Sequence, residues 1–438
     1  MGRTIGIRRE DKNPWERRVP LIPEQVEKLI RDHDLGAVVQ SSPIRAYPDP
    51  DYLGAGARID EDLSDCAVVM AVKEIPIDFF LPGRTYVFFS HTLKGQSYNM
   101  PMLKRMMELG CNLIDYEGIT DEKGRRLVLF GRFAGLAGMI DALWALGRRS
   151  EHEGVRSPLC RVRRATEYAT LDEAKEDLAS IGEDLAGEGL PESSAPLVVG
   201  FAGYGNVSAG AQEIFDLFPH KEVPPEDLEG LHERGGSNKA LYKVVFREQH
   251  TVEPQKEGAA FDLKEFFSHP ERYRSRFDRY LPFLTVLMNC VYWKPGSPRL
   301  VTRQALRTLF EQEKATPRLR VIGDISCDIN GAVECTSRCT DPGNPVYVYD
   351  PLEETTTDGV AGRGPVILAV DNLPCELPVE SSRAFGEALA PFVPAVAEAD
   401  YEADLEDTGL PPQILRAVIL HRGRLTTKYA HLAEHLEG

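Results

Sequence analysis

Lys73 and His91 have the side chains and the settings that proton transfer requires. Lys73 follows the apolar run 67–72 (AVVMAV), and His91 follows 86–90 (YVFFS). Both runs read as buried strands. Open α/β sheets bind ligands outside the carboxyl ends of their strands, so two neighbouring strand ends would present both groups to one crevice. The pair suits imine chemistry. A substrate amine must lose a proton before it attacks a ketone, and the carbinolamine oxygen must gain protons to leave as water. A lysine with a depressed pKa and a histidine can share those transfers. Each residue also has a plainer role: Lys73 as an exposed strand-end charge, His91 as a cap for the helix that Ser97 starts.

A second constellation is the turn Gly203-Tyr204-Gly205-Asn206-Val207-Ser208-Ala209-Gly210. The apolar run 196–202 (PLVVGFA) precedes it, and a helix with Ala211, Ile214, Phe215 and Phe218 on its apolar face follows. Glycines at such a turn let a pyrophosphate approach the backbone, and the helix N-terminus offers unpaired N–H groups. Ser208 occupies the third fingerprint position, and glycine returns only at Gly210. Gly203, Gly205, Asn206 and Val207 are therefore the expected dinucleotide contacts, with a ligand-free tight turn as the alternative. The next strand, 242–246, ends at Arg247. An arginine there suits a 2′-phosphate, so NADP(H) is expected, with NAD(H) as the alternative.

Two further features could meet a substrate. Arg8, Arg9, Arg17 and Arg18 flank the exit of the first strand with Glu16, and guanidinium groups clamp carboxylates in bidentate fashion. A solvated basic loop is the default for such a run. Asp371 ends the late apolar run 366–370 and could hold an ammonium group or a cofactor amide, or could cap a turn.

The elements around these residues point to an α/β fold. Strands are expected at 4–7, 67–72, 86–90 and 112–116, with a helix at 97–109. This alternation implies a parallel sheet with crossover helices. A helix at 133–148 carries Gly135, Ala137 and Gly138, small enough for another backbone to approach closely, with ordinary helix packing as the favoured reading. Residues 149–196 are charged and rich in proline and glycine, with one polar helix near 171–185. Further strands are expected at 284–291 and 318–325. Residues 219–240 and 251–280 read as polar insertions or surface helices, and the last 60 residues return to helical patterns.

Composition bounds the remaining choices. A chain of 438 residues with 42% hydrophobic content suffices for two domains. A net charge of −17 argues against a sequence-independent grip on nucleic acid, but leaves room for anionic small substrates at a local arginine cluster. The N-terminus lacks an apolar signal core, and no run approaches the ~20 residues that span a bilayer. Eight scattered cysteines without a CxxC read as reduced thiols in a cytoplasmic protein. Cys327, Cys335 and Cys339 lie close in sequence but fit no common zinc spacing and have no histidine nearby, so no metal is expected.

Six segments together resemble one family. They are IGIRREDKNPWERRVPLIPE, FSHTLKGQ, NLIDYEGITDEKGRRLVLFGRFAGLAGMID, GYGNVSAGAQEIF, GDISCDINGAVE and DNLPCELP. They resemble the lysine-ketoglutarate reductase part of alpha-aminoadipic semialdehyde synthase. They are similar, more distantly, to the lysine-forming saccharopine dehydrogenases and alanine dehydrogenase. The resemblance covers nearly the whole chain in the same order. It implies two Rossmann-like domains with parallel sheets and an active-site cleft between them: a substrate domain from 1–145 and 375–438, and a dinucleotide-binding domain from 146–374. By position it makes Lys73 and His91 the catalytic pair, with Glu74 and Glu117 tuning them. Arg18, with Arg8 beside it, becomes a substrate-carboxylate contact, and Asp371 a neighbour of the nicotinamide and the substrate amine. The implied reaction joins L-lysine to 2-oxoglutarate and reduces the imine to saccharopine. Alternatives are a related saccharopine, opine or amino-acid dehydrogenase, and a dinucleotide-binding regulator without turnover. The bifunctional relatives continue into a second enzyme, whereas this sequence ends at Gly438. The expected partners are therefore a separate saccharopine-processing enzyme or a second copy of the chain.

Overall fold

The computed structural model describes residues 3–312 and 317–436. The chain folds into two compact units, Met1–Phe130 with Pro378–Gly438, and Gly131–Leu377.

The first unit is built on an eight-stranded sheet in the order Arg424–Leu425, Val418–His421, Asn112–Asp115, Thr85–Phe88, Val68–Met70, Thr4–Ile7, Gly36–Val39 and Arg58–Ile59. The last six run parallel, while the two C-terminal strands add antiparallel at one edge. Strand formation follows the apolar runs: Val68–Met70 is buried at every position, and so is Thr85–Phe88. Ile7 lies opposite Met70, Met70 opposite Val87, and Val87 opposite Ile114. Four strands thus end level with one another. From the adjacent pair Thr4–Ile7 and Val68–Met70 the chain winds outward in opposite directions, which makes their carboxyl ends the topological switch point of this sheet. The helix expected at 97–109 is a 3₁₀ turn, Ser97–Asn99, running into the helix Met100–Glu108.

The second unit has its own eight-stranded sheet, in the order Thr355–Asp358, Val346–Asp350, Val366–Leu368, Val321–Asp324, Val286–Asn289, Val198–Ala202, Leu241–Phe246 and His220–Glu222. Six strands are parallel, but Val346–Asp350 and Thr355–Asp358 form an antiparallel edge. Parallel strands dominate both sheets, as expected, and in each a short hairpin return adds an antiparallel edge with no crossover helix. Residues 251–280 also hold an antiparallel pair, Val252–Pro254 with Tyr273–Ser275. Each strand is three residues long with a single buried position, Val252 or Tyr273, too short an alternation to read as a strand.

The expected first domain boundary, between 145 and 146, falls inside the helix Gly131–His152, and the structure assigns that whole helix to the second unit. Glycines on two helices explain why. A Cβ on Gly135 would lie 1.9 Å from the Val207 carbonyl oxygen, and one on Gly210 would lie 2.0 Å from the Arg132 carbonyl oxygen. The helix therefore packs backbone to backbone on Asn206–Phe215, the helix that the glycine turn opens. We expect Gly210→Ala to destabilise the protein by roughly 1–3 kcal/mol, the usual cost of forcing an atom into a packed contact. An unchanged denaturant midpoint would show that the two helices part without cost.

Candidate active site

The first unit gathers its titratable groups at the switch point. Arg8 and Glu10 follow Thr4–Ile7, Lys73 and Glu74 follow Val68–Met70, and His91 follows Thr85–Phe88. The loop bearing Lys73 is held from below. The buried Glu10 carboxylate accepts the backbone N–H of Val72 at 2.6 Å and that of Lys73 at 3.0 Å. Burial, with the Glu16 charge added, pushes the Glu10 carboxyl up to about 8 against those two donors. Glu10 escaped the sequence reading because a buried acid one residue past an arginine pair looks like part of a surface charge run.

Glu74 joins His91 to Lys12. His91 Nδ1 lies 2.6 Å from Glu74 Oε1, and Lys12 Nζ lies 2.9 Å from Glu74 Oε2. Burial opposes ionisation of Glu74, but the bonds and charges of His91 and Lys12 outweigh it and hold the carboxyl well below the usual range. A carboxylate on one ring nitrogen fixes the imidazole orientation and leaves the other nitrogen for a reacting group. The His91 backbone is in the left-handed region at φ 49°, and its ring stacks on Phe89 with centroids 6.2 Å apart. Asn99, on the turn that follows, donates to the Ser90 carbonyl at 2.9 Å and fixes this bend. His91 is therefore not a helix cap.

Lys73 is partly buried. Among the described residues no carboxylate forms an ion pair with it, since Glu74 turns to Lys12 and His91. Burial, and then the Arg18 charge, lower the Lys73 ammonium below its ordinary range. This is the state that proton acceptance requires.

The structure brings Glu74 and His91 together, with Lys73 next to Glu74 in the chain, but gives Glu117 a different partner. Glu117 follows Asn112–Asp115 and pairs with Arg126 at 3.1 Å. Behind it, the buried Asp115 accepts the N–H of Ser90 at 2.8 Å and that of Glu117 at 2.7 Å, tying the two strand ends together. Burial raises Asp115 to about 6 despite these donors. Both arginines expected at a substrate carboxylate are already engaged. Arg18 forms a two-pronged pair with Glu16, Nε to Oε1 at 2.7 Å and Nη2 to Oε2 at 2.6 Å, and stacks on Phe130. Arg8 pairs with Asp11 and packs on Phe79.

In the second unit the glycine turn sits where the sequence placed it. Gly203 has φ 97°, and a Cβ there would lie 3.1 Å from Val291. A Cβ on Gly205 would meet open space. Gly205 is the N-cap of Asn206–Phe215, and no side chain caps that helix. Gly205 and Asn206 are exposed and Val207 partly so. The amides of the first turn thus face outward, as an anionic pyrophosphate requires. A cavity of about 560 Å³ adjoins them, lined by Gly203, Tyr204, Gly205, Glu248, Phe266 and Trp293 among others. It opens at the carboxyl ends of Val198–Ala202 and Val286–Asn289, the switch point of this sheet. Arg247 ends Leu241–Phe246, is exposed, and stacks on Tyr204 at 4.9 Å. Glu248, one residue on, lines the cavity and receives the Tyr204 hydroxyl at 3.2 Å. The sequence reading missed both Glu248 and Tyr204. Asp371 lies exposed past the end of Val366–Leu368, its N–H donating to the Thr340 carbonyl at 3.2 Å. Among the described residues no group of three or more His, Cys, Asp or Glu is placed to hold a metal ion, and no helix is long and apolar enough to cross a membrane.

Comparison with known proteins places this arrangement. Residues 6–137 match the alanine dehydrogenase/PNT N-terminal domain, and 293–428 match its C-terminal domain. The alpha-aminoadipic semialdehyde synthase of Arabidopsis thaliana is 37% identical over 98% of this chain and 41% of its own length. The mitochondrial alpha-aminoadipic semialdehyde synthase of Bos taurus is 36% identical over 98% of this chain and 47% of its own. The chain thus spans less than half the length of these curated relatives. The NAD(+), L-lysine-forming saccharopine dehydrogenase of Emericella nidulans is 27% identical over 88% of this chain and 90% of its own. A solved L-alanine dehydrogenase superimposes with a TM-score of 0.63 at 19% identity, covering 99% of both chains, and so shares the two-domain Rossmann-like fold. The chain carries the alanine dehydrogenase/PNT N-terminal and C-terminal domains, and over nearly its whole length it is similar to the alpha-aminoadipic semialdehyde synthases.

Proposed function

We propose that this chain condenses L-lysine with 2-oxoglutarate and reduces the resulting imine to saccharopine, using NADP(H). The observation that carries the reading is the carboxylate-oriented His91, held by Glu74, with the depressed Lys73 preceding Glu74 at the adjoining strand end. A bound nicotinamide dinucleotide supplies the hydride for the C=N bond. The chain's own groups handle the protons. Free lysine carries a charged ε-amine at neutral pH, and that amine must be neutral to attack a ketone. Lys73 and His91 accept its proton and protonate the departing carbinolamine hydroxyl. Glu74 holds the ring, and Glu117 acts from further out through Asp115. A substrate carboxylate would reach Arg18 only by displacing Glu16 from its two-pronged pair, and Asp371 is assigned to the nicotinamide side. The eight free cysteines support a reducing, cytoplasmic setting.

The decisive assay is oxidation of NADPH with lysine and 2-oxoglutarate together against either one alone. Turnover should require both. Turnover with another amine or oxo acid, and none with this pair, would move the chain to a related amino-acid dehydrogenase.

For the cofactor, the proposal assigns the 2′-phosphate to Arg247, held by its stack on Tyr204. Arg247→Ala should reduce the preference for NADPH over NADH roughly ten- to hundredfold, the worth of a lost charged hydrogen bond. Glu248 favours a second reading, because an acid on this cavity can bind a ribose 2′-hydroxyl. If Glu248→Ala instead removes a preference for NADH, that acid is the reader.

A further inference from the structure

The carboxyl edge of the second sheet carries a pair of thiols that the reaction above does not use. Cys327 lies just past Val321–Asp324, in the left-handed region at φ 54°. Cys339 comes back beside it, with Sγ 3.6 Å from the Cys327 carbonyl oxygen. Both thiols are partly buried rather than sealed. Cys327 Sγ also lies 2.8 Å from the Ala369 carbonyl oxygen, a contact made by a protonated thiol. The neighbouring Cys327 thiol holds the Cys339 thiol below its usual range, whereas Cys339 and then burial push Cys327 up. Each thiol donates to a backbone carbonyl, Cys327 to Ala369 and Cys339 to Cys327, and this brings the two side chains to one place.

The same carbonyl connects these thiols to Asp371. Ala369 also accepts the N–H of Thr340 at 2.8 Å, Thr340 bridges Val370, and Asp371 donates to the Thr340 carbonyl at 3.2 Å. Thr340 follows Cys339 directly. A movement of Cys339 toward Cys327 therefore pulls on the segment that positions Asp371, on the edge where such sheets bind ligands.

We propose that Cys327 and Cys339 are a reversible oxidation site that a peroxide converts to a disulfide, displacing the Thr340–Asp371 pairing and lowering turnover. The Cys339 thiolate attacks one peroxide oxygen, the O–O bond breaks, and the released hydroxide takes a proton to become water, leaving a sulfenic acid. The Cys327 sulfur then attacks the Cys339 sulfur, the S–O bond breaks, and the leaving hydroxide carries away the Cys327 proton as water. The thiols lose two electrons and the peroxide gains them. The bond that Cys327 gave Ala369 disappears with its proton. The effect on turnover rests on the function proposed above; the cross-link does not.

The test treats the full chain with hydrogen peroxide, alkylates it and digests it without reductant. A cross-linked peptide joining Cys327 to Cys339 is expected, undone by a thiol reductant. It should be absent in Cys327→Ser and Cys339→Ser and kept in Cys335→Ser. Amide exchange at Thr340 and Asp371 should rise on oxidation. Turnover should fall on the order of ten- to hundredfold, as for a displaced active-site group, and recover on reduction. Over-oxidation of Cys339 without a cross-link, pairing with Cys335, or unchanged exchange at Thr340 and Asp371 would each overturn the proposal. A cross-link that leaves turnover intact would overturn it too. A reduced protein with no turnover would count against the proposed reaction, and the cross-link and exchange readouts would still decide this site.

Discussion

Lys73→Met should lower kcat by roughly 10²–10⁴, and His91→Gln should do the same, the usual range for a positioned general acid or base. Lys73 sits past a buried strand, on a loop held by Glu10, with no ion-paired carboxylate among the described residues to keep it charged. Methionine preserves the length and the apolar stem but accepts no proton. His91 is fixed by Glu74 at 2.6 Å, and glutamine fills similar space without an ionisable nitrogen. Both changes lie in the first unit, and the glycine turn belongs to the second. Dinucleotide affinity should therefore survive in each variant. The double variant should lose less than the product of the single losses, because groups that act on one proton inventory are not additive. Single-turnover reduction and dinucleotide titration separate the two effects. Near-normal turnover at saturating substrate in either single variant would make that residue structural and end the mechanism.

The strand-end positions of Lys73 and His91 and the glycine turn were legible because their signals are local. Buried parallel strands read as unbroken apolar runs, and the residue that follows such a run is on the ligand edge by topology alone. Lys73, His91 and Gly203 all satisfy that rule. Antiparallel edges were less legible. Thr355–Asp358 is exposed at every position, and His220–Glu222 reads HKE, so neither carries an apolar pattern. Long-range partners were not legible either. Glu10 matters through two amides more than sixty positions away, and Glu117 found Arg126 in place of the catalytic pair. The expected boundary at 145 failed for a related reason. Small residues at 135 and 138 left room for a close backbone contact, but ordinary helix packing was the favoured reading, and nothing local pointed to the helix after the glycine turn.

The second large effect is expected at Arg18, and it falls on stability as well as on substrate. Arg18 is 2% exposed and Glu16 is 0% exposed, joined by two short bonds. Removing one partner of a buried ion pair typically costs about 3–5 kcal/mol, because the other charge stays in a poorly solvating place. Arg18→Ala should approach that cost in a denaturant titration. It also removes a guanidinium stacked on the Phe130 ring at 4.2 Å. Arg18→Met with Glu16→Gln should cost much less, since no buried charge then lacks its counter-ion. The pair is coupled to catalysis as well. After burial, Arg18 is the leading cause that lowers Lys73, and Glu16 opposes it. Deleting Arg18 takes away a positive neighbour and leaves the negative one, so Lys73 must hold its proton to higher pH. Because the reaction needs Lys73 as a base, the acid limb of the kcat profile should move toward alkaline pH in Arg18→Ala. A substrate clamp with no structural duty would behave differently, raising KM for 2-oxoglutarate or lysine while leaving stability and the acid limb unchanged. Unchanged KM values for both substrates would remove Arg18 from the substrate site. Full stability would show that Glu16 does not depend on it.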